Sequence, residues 1–577
     1  MASNQPIKPF TRLANLIKLE RDDIVNIYIF ATISGAISLT LPLGIQAIIT
    51  FLFGGIVSSS LVLLVTVIIV GVLLSGVLTY FSMVISERIQ RKLFARFSLQ
   101  FADLFPKIDL YTADKYYLPE LVNRFFDTAA LQKGVSKLLI DFPGASIQIL
   151  FGLILLSFYH PIFIVFNVLI VTMLFLLIRF TFSEGLRTSI EESDYKYAVG
   201  NWLEDIARNI KTIKLNSYFQ FILNRTDDLV LLYLKSRSDH FRILTIQFSG
   251  LIIFKTVITS SLLIAGTFLF LNDMINIGQF IAAEIIIIML LSSVEKLFSM
   301  LETLYDVLTS LEKVHKLIDL EIEQQGTAKL DTASMSGISI TLDEASYNYP
   351  DSVKLTISAV STHIKEGEKV AILGTQGSGK TTLLRVISGA FGLCDGNILY
   401  NEIPYRNINL NHLRDKFSVL LSEDELVGGS ILSNITMGRN EISFETVVEH
   451  ANQIGLLSYI QSLPFGFDTQ IESTGKKLPK SVTVKILLLR ALLDNPALFI
   501  AEDYWSVLDG AEKSRIKEYL FAKDNRFTFV VSTNDIDMAK RCGKVILLKD
   551  GSIIVQGAYE EVRQHEEYKK LYEFLSL

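Results

Sequence analysis

The chain has 577 residues, half of them apolar and only a fifth charged, with a formal net charge of −6. That length implies two or more domains, and so oily a composition is not that of an ordinary soluble protein. The acidic balance, with no basic stripe, excludes a nucleic-acid surface. The two cysteines, Cys394 and Cys542, have neither metal-ligand nor redox spacing and read as a reduced cytosolic pair.

Residues 1–22 form a polar cytosolic lead-in without the basic stretch, short apolar core and small-residue cleavage site of a signal peptide. Six apolar stretches follow at 24–53, 58–85, 137–158, 161–182, 246–271 and 276–303, each of the roughly 20 residues that a spanning helix needs. Several exceed the bilayer's thickness, which implies helices that continue into the cytosol. The connections at 54–57, 158–161 and 272–275 contain no Lys or Arg, whereas 86–136 and 183–245 are rich in them. The positive-inside rule therefore places both long excursions and both termini in the cytosol. Residues 23–320 are read as a six-helix transmembrane domain, 321–335 as a linker.

Two ionisable residues fall inside apolar runs, Lys255 and Glu284. Charge at membrane depth is costly and faces a cavity or a partner. The readings that stand are a cross-helix pair lining a translocation path and, against it, a structural pair or a Lys255 that snorkels to an interface.

Beyond residue 336 the mix becomes that of a globular domain, and the run Gly374-Thr-Gln-Gly-Ser-Gly-Lys-Thr-Thr382 fits the phosphate-binding pattern G-x-x-x-x-G-K-[ST]. It lies between a strand-like run, Lys369-Val-Ala-Ile-Leu, and a helical run, Leu383-Leu-Arg-Val-Ile. Gly374, Gly377 and Gly379 let backbone N–H groups of the loop, which also holds Gln376 and Ser378, turn toward a polyphosphate at a helix N-terminus. Lys380 reaches the outer phosphates, and Thr381, followed by Thr382, ligates Mg²⁺. The expected cofactors are ATP and Mg²⁺, held by a nucleotide-binding domain over 336–577.

Downstream residues repeat the order of a known family. Tyr347-Asn-Tyr-Pro precedes the loop, Gly429-Ser-Ile-Leu-Ser-Asn-Ile and Leu463-Pro-Phe-Gly-Phe-Asp-Thr follow it, the latter leading to Glu472 and Gly475, and Arg490-Ala-Leu and Ser506-Val-Leu-Asp509 come last. With the six spans, the chain resembles an ATP-binding-cassette (ABC) half-transporter of the exporter type. The fold so implied is an α-helical six-span bundle followed by an α/β P-loop ABC domain. By that resemblance Tyr349 stacks on adenine and Asp509 closes the D-loop.

The catalytic elements of that family are altered here. Ser422, followed by Glu423, stands where the Q-loop glutamine is expected, and Leu478-Pro479-Lys480-Ser481-Val482 where the signature usually reads LSGGQ. The acidic pair is inverted, with Glu502 at the magnesium-associated position and Asp503 at that of the general base. Asn534 replaces the H-loop histidine. Pro479 removes a backbone donor, Asp503 is one methylene shorter than the usual base, and Asn534 cannot carry a proton as imidazole does. Binding is expected to survive and turnover to suffer.

The resemblance implies a homodimer or a heterodimer with another half-transporter, a lipid bilayer as environment, and a bacterial inner membrane location, with a periplasmic adaptor among the candidate partners. Short helices near 119–127 and 209–216 resemble coupling helices of the family, and Arg124 and Asp127 are the expected coupling residues of the first. The expected function is export by alternating access. The alternative is a non-hydrolytic ATP-binding subunit of a complex that another ATPase powers. The general look of 117–127 favours peptide or protein export, with lipid and drug export open. The lead-in has no cysteine, so leader processing is not expected.

Overall fold

The computed structural model describes residues 9–53, 59–116, 118–330, 337–350, 352, 354–422, 424–472, 477–503, 507–523 and 525–575. Tyr117, Glu423, Gly475 and Ser506 lie outside them. The chain divides into two compact units, Met1–Lys107 with Tyr116–Leu320, and Ile108–Lys115 with Glu321–Leu577.

In the first unit, six helical stretches among the described residues are long and apolar enough to cross a membrane. They comprise α2 (Arg21–Ser38) with α3 (Thr40–Phe53), α4 (Ser59–Leu104), α7 (Asp127–Tyr159), α8 (Ile162–Arg208), α10 (Phe219–Leu271) and α11 (Ile277–Ile318). The lead-in is itself helical, α1 (Pro9–Leu19), and its buried Arg12 reaches Glu312 and Asp319 at 2.5 Å each. The first span breaks at Leu39, three residues before Pro42. Proline lacks the N–H that would bond the Ser38 carbonyl, and its ring crowds that carbonyl, so the helix ends and restarts. Helix α11 opens on a reciprocal cap. Asn276 Oδ1 accepts from the Gln279 N–H and Gln279 Oε1 from the Asn276 N–H, both at 2.8 Å.

Large apolar side chains such as Leu73, Val165, Phe175 and Ile264 are exposed along these helices, the surface that a hydrocarbon layer covers. The inner faces close on small residues and satisfied polar groups. A Cβ on Gly185 would lie 2.5 Å from the Tyr305 ring, so α8 and α11 approach only because that position is glycine. The Gln247 amide donates to Tyr305 Oη at 2.8 Å and to Thr181 Oγ1 at 2.9 Å, joining α8, α10 and α11 by hydrogen bonds.

Two expectations are corrected here. Lys255 pairs with Glu295, not with Glu284. The consecutive helices α10 and α11 run antiparallel, and Glu284 lies 11 residues, about 16 Å, along α11 from that pair. Glu284 is half-buried, with no ion-pair partner among the described residues. The first excursion also differs. Its helix α6 (Leu118–Asn123) belongs to the membrane unit, and the stretch grouped with the second unit is Ile108–Lys115, containing α5 (Leu110–Ala113). There Ile108 bridges Ile322, the Asp109 N–H donates to the Glu321 carbonyl at 3.0 Å, and Tyr111 packs on the apolar core. Arg124 and Asp127 serve the membrane unit's own packing. Asp127 is buried and accepts from Tyr197 Oη at 2.6 Å, and the Arg124 guanidinium lies over the Tyr197 ring. The second tip, α9 (Ile210–Asn216), buries nothing and ends on Ser217 in the left-handed conformation.

The second unit is built on two sheets. A six-stranded sheet runs in the order β12-β11-β3-β10-β9-β6, with β3 (Lys369–Leu373), β6 (Phe417–Leu420), β9 (Leu498–Glu502), β10 (Thr528–Ser532) and β11 (Lys544–Lys549) parallel and β12 (Ser552–Gly557) antiparallel on the edge. A second, antiparallel sheet is ordered β2-β1-β4-β5, from β1 (Ile340–Tyr347), β2 (Ile357–Ile364), β4 (Asp395–Tyr400) and β5 (Ile403–Pro404). A short pair, β7 (Gly429–Ser430) and β8 (Gln470–Ile471), stands apart. The central strands β9 and β10 are buried throughout, and apolar but for Thr528 and the terminal Glu502 and Ser532, because both faces are covered, as parallel sheets require.

Because Asp127 is a buried acceptor for Tyr197, Asp127→Ala leaves a half-buried hydroxyl unmatched and should destabilise the membrane unit by about 1–3 kcal/mol. A thermal unfolding scan in detergent should show a lowered midpoint with nucleotide affinity unchanged. An unaltered midpoint removes this packing role.

Candidate nucleotide site

The parallel register aligns Ile372 of β3, Ser532 of β10 and Glu502 of β9 at the carboxyl ends of their strands. The loop Gly374–Gly379 leaves β3 there and enters α12 (Lys380–Ile387). Two glycines are dictated by geometry. A Cβ on Gly374 would lie 2.4 Å from the Leu548 carbonyl oxygen, and Gly379 has φ +99°. The Lys380 ammonium donates to the carbonyls of Gly374 and Thr375 at 2.7 and 2.8 Å. Burial pulls its pKa down, and nearby Glu502 pushes it back up.

A polyphosphate fits this cradle. Among the described residues, the Ser378 hydroxyl, within the loop itself, is buried without a hydrogen-bond partner, and the Lys380 ammonium is met by loop carbonyls alone. The amides at the start of α12 and the Lys380 ammonium would hold the phosphates, and Thr381 with Glu502 would hold Mg²⁺. Gln376 and Gly377 are exposed at the loop tip. Tyr349 is half-buried beside it. Its hydroxyl lies 3.2 Å from Thr382 Oγ1, and its ring meets Tyr347 and Phe391 edge-on.

The residues expected from the sequence at the catalytic positions are held in specific ways. Glu502, buried at the end of β9, accepts from the Ser422 N–H at 2.8 Å, so Ser422 offers backbone here while its side chain is exposed. Asp503 Oδ2 accepts from Thr533 Oγ1 at 2.7 Å, and Thr533 in turn accepts from the Asp535 N–H at 3.0 Å. Burial raises the Asp503 carboxyl above the usual range, and the Thr533 hydrogen bond opposes the shift. The Asn534 amide, in the orientation that satisfies its neighbours, donates to the carbonyls of Gly374 and Thr533 at 3.1 Å each. Asp509 caps the helix Gly510–Leu520 by accepting from the Glu512 N–H at 2.8 Å.

Pro479 precedes the helix Lys480–Leu492, and its carbonyl accepts from the N–H groups of Val482 and Thr483. Lys480 is exposed and Ser481 half-buried, whereas Leu478 and Val482 pack into the core. Arg490 of this helix donates to the Asn434 carbonyl at 2.7 Å and to Asn434 Oδ1 at 2.8 Å, fixing it to the segment that follows Ser422. Sequence reasoning missed Thr533. Only the β9–β10 register reveals that its hydroxyl meets the acid pair.

Known proteins are similar to both units. The description "ABC transporter transmembrane region" matches residues 24–294 and "ABC transporter" matches 357–504. The lactococcin-G-processing and transport ATP-binding protein of Lactococcus lactis is 23% identical over 382 residues, 66% of this chain and 54% of that protein. An ATP-dependent lipid A-core flippase of Desulfotalea psychrophila is 27% identical over 304 residues, 52% of this chain and 53% of the flippase. This chain thus spans about half the length of these curated relatives. Among solved structures, a bacterial Atm1-family ABC exporter with ATP bound superposes with a TM-score of 0.86 at 16% identity, covering 97% of this chain and all of that one.

Removing the Thr533 hydrogen bond takes away the contact that lowers the Asp503 pKa while burial still raises it. Thr533→Val should therefore move the acidic limb of any residual phosphate-release profile to higher pH, and Asp503→Asn should abolish that limb. A limb that stays in place in Thr533→Val disposes of the clamp.

Proposed function

The chain belongs to the ABC transporters, with the transmembrane region fused ahead of the nucleotide-binding domain, and from that premise we propose that it is an ATP-binding exporter subunit with weak hydrolysis. It works as a dimer, each nucleotide closed between one subunit's phosphate loop and its partner's signature segment. Bound ATP with Mg²⁺ would supply the transferable phosphoryl group and the charge that draws the two cassettes together.

The observation that carries this reading is the contrast within one site. The cradle keeps every element that grips phosphate, namely Gly374, Gly379, Lys380 and Thr381. The residues that would position water are short or committed elsewhere. Asp503 is clamped by Thr533, and Asn534 faces the Gly374 carbonyl. Phosphoryl transfer rests on positioning, where an error of about 1 Å costs roughly 100-fold. At the signature, Pro479 brings no N–H, and Lys480 and Ser481 replace flexible glycines.

The exposed tip α9, with Ile210 and Leu215 on its surface, is the contact offered to a partner cassette. Transport runs from the cytosolic side across a bacterial inner membrane, a location supported by bacterial relatives that include the lactococcin transporter and the lipid A flippase. A second reading keeps ATP binding and assigns the power stroke to another ATPase. The clamped Asp503 favours it as much as slow turnover.

Purified protein in nanodiscs decides the matter. ATP should be retained, and Lys380→Ala should lose it at least about 10-fold, the scale of one charge-assisted contact. Phosphate release should be at least about 100-fold below that of a cassette with an intact signature and base. Failure to retain ATP, or release as fast as the intact relative, overturns the proposal.

A further inference from the structure

The membrane unit holds a cavity of about 300 Å³ between α2, α4, α7 and α11. Its polar wall is formed by Ser34, Ser75, Thr79, Asp141, Gln148 and Lys296. The hydroxyls satisfy one another or the backbone: Ser34 and Ser75 are 2.5 Å apart, and Thr79 donates to the Ser75 carbonyl at 3.0 Å. The other three behave differently. Asp141 and Gln148 are half-buried and Lys296 is exposed, and none has a hydrogen-bond or ion-pair partner among the described residues.

Other polar side chains of this unit are matched. Gln247 is bonded to Thr181 and Tyr305, Lys255 to Glu295, and Lys313 to Asp194. An acid, an amide and a base left unmatched around one cavity form a set of opposite charges with hydrogen-bonding capacity between them. By the spans read from the sequence, Asp141 and Lys296 lie toward the cytosolic ends of theirs, the side from which an exported solute enters. Ionisable groups at such depth face water or a substrate path.

We infer that this cavity is the loading site for a compact zwitterion, an amino acid or short peptide, a conclusion that rests on the exporter reading above. The ammonium goes to Asp141, the carboxylate to Lys296, and backbone amides to Gln148 and the hydroxyls. Other solute classes fit less well. An acyl chain leaves both charges facing hydrocarbon. An anionic headgroup meets Lys296 but is repelled by Asp141, and an organic cation meets the reverse. The volume lies at the low end of the range for small-molecule sites, which limits the bound part to a few residues of a peptide.

The test measures binding by calorimetry on the full chain in nanodiscs, using free amino acids and di- to tetrapeptides of alanine alongside N-acetylated and C-amidated forms. At least one free zwitterion should bind, and each blocked form should lose about 10- to 100-fold, the scale of one charge-assisted contact. Asp141→Asn should weaken the free peptide and leave the N-acetylated form unchanged, while Lys296→Gln should do the same with respect to the amide. The inference is overturned if no zwitterion binds better than its blocked counterparts, or if either variant weakens all forms equally. ATP retention is measured on the same samples. Its persistence shows that the variants are folded and that the transporter reading stands whether or not the cavity binds zwitterions.

Discussion

Three parallel strands in register hold the nucleotide-binding half together as a functional object. Ile372, Ser532 and Glu502 sit side by side, so the segments that follow them leave the sheet at one edge. Those segments are the phosphate loop, the Thr533–Asn534 turn and the acid pair. Ligand sites on open α/β sheets form at such carboxyl-terminal edges because neighbouring strands there send their loops apart. A one-residue slip of β10 would bring a different side chain to Asp503 and turn the strand's buried residues over. The apolar run Phe529-Val-Val is fully buried, so such a slip would have to repack side chains of different size on both faces.

The same register separates, in the reading proposed above, the residues that grip phosphate from those that would cleave it. Holding phosphate depends on backbone N–H groups, glycine geometry and one lysine, all on the β3–α12 connection. Cleavage depends on side chains from β9, β10 and the segment before Asn434, which must project by the right length. Asp503, the base in that reading, follows β9 with its carboxylate 2.7 Å from the Thr533 hydroxyl. The core beneath it, Phe499, Ile500 and Val530, is fully buried.

The legible parts of the sequence were those with local signatures. Six apolar runs, the asymmetry of basic residues and the glycine-lysine spacing each report on their own segment. The break at Leu39 was missed because Pro42 lies in an otherwise unbroken apolar run, and hydropathy does not register a lost N–H. The partner of Lys255 was missed because pairing across antiparallel helices depends on where the α10–α11 connection turns, and composition does not fix that. Thr533 was invisible for a related reason. A threonine after a buried strand is ordinary until the neighbouring strand is known to end in Asp503. Asp127 and Arg124 looked available for a partner because charged residues near a loop tip are usually solvated, yet Tyr197, seventy residues away, claims both.

Polar groups in the membrane half follow a rule that gives the exceptions meaning. A polar side chain between apolar helices is costly unless matched, and this chain matches most of them across long sequence separations. Arg12 reaches Glu312 and Asp319, Asn167 bonds the Leu153 carbonyl and Ser157, and Ser189 meets Thr309. Helices so joined are fixed in rotation as well as position, since each bond is met only when the right faces oppose. Against that background Asp141, Gln148 and Lys296 are set apart because they line one half-open cavity, whereas Glu284 lies elsewhere on α11 and lines none of it. Mispaired charges scattered over a bundle would point to loose packing. Charges of both signs that line one cavity, in helices otherwise locked to each other, offer the chemistry that a solute with both signs complements.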